Sequence, residues 1–152
     1  MKTKLIILLI LLTPVITLFA QSNIELDRFL NQKTADLATS IWLVYLSVGE
    51  LPQDSIPQDA VDKLLQSKQG KRFQGSDVST PITYGQFAML MMDSYDLPGG
   101  LMYTIFKNPR YAAREFTYKK WMPGKPKPNS FLTPWEVTSS ISQVMAWKEA
   151  NR

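Results

Sequence analysis

The run Lys107–Lys127 holds the residues of this 152-residue chain best suited to engaging a ligand. Seven cations stand in it: Lys107, Arg110, Arg114, Lys119, Lys120, Lys125 and Lys127. The only acid there is Glu115, and Tyr111, Tyr118 and Trp121 are interleaved. Cations beside aromatic rings attract an anionic polymer and add stacking on sugar rings. The candidate ligand-binding set is Lys107, Arg110, Arg114, Tyr118, Lys119, Lys120, Trp121, Lys125 and Lys127. The plainer alternative is a set of core aromatics beneath a solvated basic helix face. Within the run, Pro123–Asn129 ("PGKPKPN") reads either as a rigid binding loop or as a simple connection.

Other chemistry is poorly supplied. There is no Cys and no His, which removes thiol nucleophiles, imidazole bases and the commonest metal ligands together. Asp93–Gly100 fails as a calcium loop, because Pro98 stands where the sharp turn needs Gly and Thr104 where a bidentate Glu should be. Glu115 and Glu136 are the only carboxylates among the C-terminal aromatics, and Glu136 has a helix-capping role. There is no nucleophile elbow and no phosphate-binding Gly loop. The Met89, Met91, Met92 cluster reads as core, with an adaptable binding surface as the alternative. The expectation is a non-catalytic protein with no metal and no cofactor.

The N-terminus indicates the compartment. Lys2 and Lys4 precede an apolar run, Leu5–Ala20, followed by Gln21 and Ser22. This reads as a secretory leader cut after Ala20. The run is about 16 residues and contains Pro14, against the ~20 of a spanning helix. No later stretch is apolar enough to span. The expectation is an exported, periplasmic or envelope-associated chain with one domain over residues 21–152. Export makes an envelope glycan, a lipid headgroup or an acidic protein face the candidate ligand, and argues against nucleic acid. Residues 21–106 carry 6 basic and 10 acidic residues, while 107–152 carry 9 and 3. This asymmetry concentrates positive charge around the candidate site.

The elements that must position these residues read as helices. Ile24–Leu30 is a short helix candidate. A stronger helix opens at Thr34, with Leu37, Ile41, Val44, Tyr45 and Val48 at helical spacing, and ends at Gly49 and Pro52. Pro57 begins another, running toward Gly70. Lys71–Pro81 is a loop with Phe73 and Val78 turned inward. Thr83 and Gln86 form a capping box ahead of Phe87, Leu90, Met91 and Tyr95. Leu101–Phe106 is a single turn, and Pro109 or Arg110 starts a helix through Trp121. Thr133, Pro134 and Glu136 open the last helix, with Val137, Ile141 and Val144 inward. No segment alternates with the period of a half-buried strand, so the fold class is all-α.

Three stretches echo one another at 50 residues: Gln32–Tyr45, Ile82–Tyr95 and Leu132–Met145. In that register Leu37, Phe87 and Val137 coincide, as do Ile41, Met91 and Ile141, and Asp36 falls with Gln86 and Glu136. Each unit is a capped helix, a loop, a second helix and a Gly-containing loop. This pattern resembles the S-layer homology (SLH) family of cell-envelope modules over residues 33–148. Gly124, Pro128, Asn129 and Phe131 match the family's loop, Thr83 and Thr133 its motif Thr, and Gln86 and Glu136 its motif Glu.

The resemblance implies helix–loop–helix repeats of about 50 residues around a central three-helix bundle. It also implies attachment to a charged cell-wall polymer. The family's motif Arg, which helps hold that polymer, is replaced by Tyr84 and Pro134, and by Thr34 or Ala35 in the first copy. The chain has only two second helices for three opening ones, which suggests that Ile24–Leu30 fills the vacant place. The expected function is non-catalytic attachment to cell-wall glycan through the basic–aromatic surface. A structural or adaptor role on an envelope protein partner is the alternative.

Overall fold

The computed structural model describes residues 24–73, 77 and 79–151. The leader expected at residues 1–20, and Val78, lie outside the described residues. Those described form an all-helical fold: α1 (residues 24–30), α2 (Leu37–Ser47), α3 (Pro57–Gln66), α4 (Tyr84–Ser94), α5 (Leu101–Phe106), α6 (Pro109–Lys119) and α7 (Pro134–Ala150), with a 3-10 turn at Gly70–Arg72. No strand forms among the described residues; two isolated bridges pair Asp36 with Pro81 and Thr83 with Phe131.

Local chemistry explains most helix starts. The Thr83 and Thr133 hydroxyls accept from the N–H groups of Gln86 and Glu136, whose side chains accept from the Thr83 and Thr133 N–H groups at 3.0 and 2.8 Å. Two free donors are satisfied at each end. Asn108 caps α6 by accepting from Tyr111 N–H at 3.1 Å, with Pro109 in the first turn. Asp59 accepts from Ile56 N–H at 2.9 Å at the start of α3.

The start of α2 differs from expectation. Asp36, not Thr34, is the N-cap, and its carboxylate accepts from Thr39 N–H at 2.7 Å. Residue 35 is held extended by distant chain: Ala35 N–H donates to Leu132 C=O (2.7 Å) and Ala35 C=O accepts from Ile82 N–H (2.9 Å). Leu132 N–H donates in turn to Ile82 C=O at 3.2 Å. The three bonds close a ring of Ala35, Ile82 and Leu132, each fully buried and each one residue before an N-cap. The N-caps Asp36, Thr83 and Thr133 each follow a ring residue, an alignment three residues away from the one that pairs Asp36 with Gln86 and Glu136. Burial away from water makes such backbone pairs costly to lose.

Below the ring, α2 packs mainly on α3 and α4 mainly on α6, while α2 also touches α4 and α7. α4 is buried nearly all round, and Met89, Met91 and Met92 are core residues at 2% exposure or less. An aromatic series runs through the C-terminal half. Phe87 meets Phe116 edge-on at 6.5 Å, Phe116 meets Trp121 at 5.4 Å, and Trp121 meets Trp147 at 5.0 Å. Phe29 of α1 and Phe73 are also buried.

The helix containing Arg114 ends earlier than the sequence suggests. It stops at Lys119, and Lys120 takes a left-handed conformation with φ 59° while its N–H caps the carbonyls of Phe116 and Thr117. A side chain at that φ costs roughly 1–2 kcal/mol, whereas glycine adopts it freely. Lys120→Gly is expected to raise stability by about 1 kcal/mol. In thermal melts this is a rise of roughly 3–5 °C; an unchanged or lowered melting temperature would refute the strain assignment.

Candidate functional site

The groove that gathers the sequence's candidate residues lies between α6 and the proline loop after it. Arg114, Thr117 and Tyr118 form one wall, and Lys125, Pro126 and Pro128 the other. Tyr84 and Ala113 form the floor, and the open groove has a volume of about 430 Å3.

Each wall has a local cause. Arg114, Thr117 and Tyr118 recur at helical spacing, so they share the face of α6 opposite the buried Ala112 and Phe116. The loop wall is stiff because Pro123, Pro126 and Pro128 fix three φ angles within six residues. It is fastened to the first turn of α4, whose free N–H groups donate outward: Tyr84 N–H to Ser130 C=O at 2.9 Å and Gly85 N–H to Pro128 C=O at 2.8 Å. Gly85 permits this approach. A Cβ there would lie 2.9 Å from Pro109 Cβ and 3.1 Å from the Pro128 carbonyl oxygen.

In the floor two hydroxyls share one carbonyl. Tyr84 OH donates to Ala113 C=O at 3.0 Å and lies 3.0 Å from Thr117 Oγ1, which itself donates to Ala113 C=O at 2.9 Å. Burial pushes the Tyr84 phenol up to about 12, with the Thr117 hydroxyl opposing part of that rise. The floor is therefore neutral, and the charge in the groove comes from Arg114 and Lys125 at its rims. Tyr118 is 80% exposed and leaves a ring face open. No carboxylate lines the groove. Glu136 is occupied by its capping box, and Glu115 lies against Gly100. The arrangement can hold an anion against an aromatic face; it offers no paired acid and base.

The nine candidates thus divide. The groove brings together Arg114, Tyr118 and Lys125. Arg110, Lys119, Lys120 and Lys127 are exposed but do not line it. Lys107 lines a separate depression with Lys68, Gln69, Arg72 and Asp93. Trp121 is corrected: it is 2% exposed, packed between Phe116 and Trp147, and its ring faces no ligand. None of the nine has an ion-pair partner among the described residues. Sequence reasoning missed Tyr84, Ala113 and Thr117 as lining, because their contact joins segments about thirty residues apart.

A further depression of about 260 Å3 opens beside the C-terminal ends of α2 and α4 and the last turns of α7. There Lys148 donates to Tyr95 C=O at 2.7 Å, and Tyr95 OH donates to Ser47 Oγ at 2.6 Å. The cation already serves the helix ends, as the macrodipole favours. Among the described residues no group of three His, Cys, Asp or Glu side chains gathers closely enough to hold a metal ion. Comparison with protein-family models, curated proteins and solved structures finds no significant match to this chain.

Proposed function

We propose that this chain is a non-catalytic exported envelope protein that attaches to anionic cell-wall glycan through the groove between α6 and the proline loop. The observation that carries the reading is the convergence of Arg114, Tyr118 and Lys125, from two elements, around a neutral floor. Two cations about an open phenol suit a polymer carrying both sugar rings and negative charge. The leader-like Lys2–Ala20 supports an exported setting.

The ring of Ala35, Ile82 and Leu132 supports the SLH-like reading, since it relates three capped helices by a cyclic exchange of equivalent bonds. On this reading the units are about 50 residues long, α2, α4 and α7 form the central bundle, and α1 supplies the outer helix that the third unit lacks. The family's motif Arg falls on Leu37, Tyr84 and Pro134, the residues after the N-caps. Charge for the polymer then comes from Arg114 and Lys125 instead.

The test is sedimentation with insoluble sacculi, using the chain from Gln21 and a variant carrying Arg114→Gln, Tyr118→Ala and Lys125→Gln. The expected result is sedimentation of the wild type with affinity reduced roughly tenfold or more in the variant, since each contact contributes about 0.5–2 kcal/mol. Absence of wild-type sedimentation would sink the reading and favour an envelope protein partner.

A further inference from the structure

Helix α5 is built outside in. Of its six residues only Tyr103 is buried, at 4% exposure, where its hydroxyl donates to Asp93 Oδ1 at 3.1 Å. Leu101, Met102, Ile105 and Phe106 are exposed at 72, 50, 60 and 57%. Four large apolar side chains on consecutive turns are a contiguous exposed surface, not the scattered exposure ordinary in a folded protein. None of the four lines the groove or the two depressions described above.

Its surroundings are basic at one end. Lys107 follows α5 directly and shares a depression with Lys68 and Arg72, and Arg110 stands on the first turn of α6. Asp93 in that depression is engaged by Arg72 at 3.5 Å and by Tyr103. Lys68, Lys107 and Arg110 have no ion-pair partner among the described residues. The acids at the other end are Asp96, in the turn before α5, and Glu115, whose carboxylate lies against Gly100.

We propose that α5 is a membrane-docking wedge that inserts Leu101, Met102, Ile105 and Phe106 among the acyl chains of an anionic bilayer, with Lys68, Lys107 and Arg110 on the headgroups. Exposed apolar side chains beside a group of cations suit an anionic bilayer, whose acyl chains take up the apolar groups while its headgroups match the charge. A second copy of this chain fits less well, because two such faces would bring their cations together. The docking surface is distinct from the glycan groove, which none of these four apolar residues lines.

The test uses the chain from Gln21, so that the apolar Leu5–Ala20 does not itself bind lipid. Flotation with phosphatidylglycerol–phosphatidylcholine vesicles is compared with phosphatidylcholine vesicles. Binding is expected to the anionic vesicles, reduced roughly tenfold or more by Leu101→Ser with Ile105→Ser. Lys107→Gln with Arg110→Gln should reduce it by a comparable factor. In a Met102→Trp variant the indole emission should shift to the blue on adding anionic vesicles, and brominated lipid should quench it. Three results would overturn the proposal: no flotation, flotation insensitive to the serine variant, or a Met102→Trp emission unmoved by vesicles. A concentration-dependent dimer abolished by the serine variant, without flotation, would assign the wedge to a second copy.

Discussion

The protein is expected to unfold cooperatively between about pH 10 and pH 12, losing several kcal/mol of stability across that window. The cause lies in four of its six tyrosines. Burial raises Tyr45 to about 12, with the negative charges of Glu50 and Asp93 adding to the rise. Burial raises Tyr84 to about 12 as well. It lifts Tyr95 above the usual phenol value despite the Ser47 bond, and it lifts Tyr103 well above it, helped by Asp93. All four are at most 4% exposed, while Tyr84 and Tyr95 line open depressions where solvent eases part of the cost of ionisation.

The sign follows directly. Each folded-state value lies above the unfolded value of about 10. Below pH 10 both states are protonated and the contribution is fully present. As pH rises from 10 toward the folded value, only the unfolded chain ionises, and stability falls by up to about 1.4 kcal/mol per pH unit for each such tyrosine. Several of these together take up much of the roughly 5–15 kcal/mol that holds a domain folded. The measurement is a pH titration following tyrosinate absorbance and helical circular dichroism in one sample. The two signals should move together, and Tyr45→Phe with Tyr84→Phe should flatten the fall. Full helicity at pH 12 with the buried tyrosines ionised would contradict the placement of these rings.

The second large effect is expected at Trp121. Trp121→Ala should cost about 3–5 kcal/mol, from lost transfer energy and the cavity left behind. The residue touches two other aromatics edge-on, and its carbonyl accepts from the buried Ser140 hydroxyl at 2.6 Å, tying the end of α6 to α7. In denaturant unfolding a loss of that size takes up much of the protein's stability.

Trp121→Phe separates packing from ligand contact. The indole Nε1 is buried and has no hydrogen-bond partner among the described residues. Removing it relieves a penalty of roughly 1–3 kcal/mol that offsets part of the smaller cavity. The phenylalanine variant is expected to lose less than about 2 kcal/mol and to sediment with sacculi as the wild type does. Trp121→Phe binding as poorly as a groove variant, at unchanged stability, would restore Trp121 to the ligand surface.

The all-helical class and most helix starts were determined by the sequence itself, because their causes are local. Thr83 with Gln86, Thr133 with Glu136, and prolines at positions 57, 109 and 134 act within three or four residues, and each works as the pattern implies. The inward turn of Phe87, Met91, Val137 and Val144 follows from helical spacing alone. The basic–aromatic composition of Lys107–Lys127 was equally plain. Its division was not. Tyr118 and Trp121 lie three residues apart in one run, yet the first is 80% exposed and the second 2%. Between them Lys120 turns left-handed and reverses the chain toward the core, a change of direction that no local periodicity encodes.

The start of α2 belongs to the same class. Thr34 is an acceptable cap by residue type, though it ranks somewhat below Asp36. Asp36 prevails because Ala35 is stretched between Ile82 and Leu132, and Leu37 N–H is taken by Thr80 C=O at 2.9 Å. Those partners lie more than forty residues away. The groove has the same origin, since Tyr84 reaches its floor only when the proline loop fastens to the first turn of α4. Residue types and short spacings set which segments are helices and where positive charge gathers. Backbone groups that must find partners when buried decided where the first of the long helices starts and which residues line the groove.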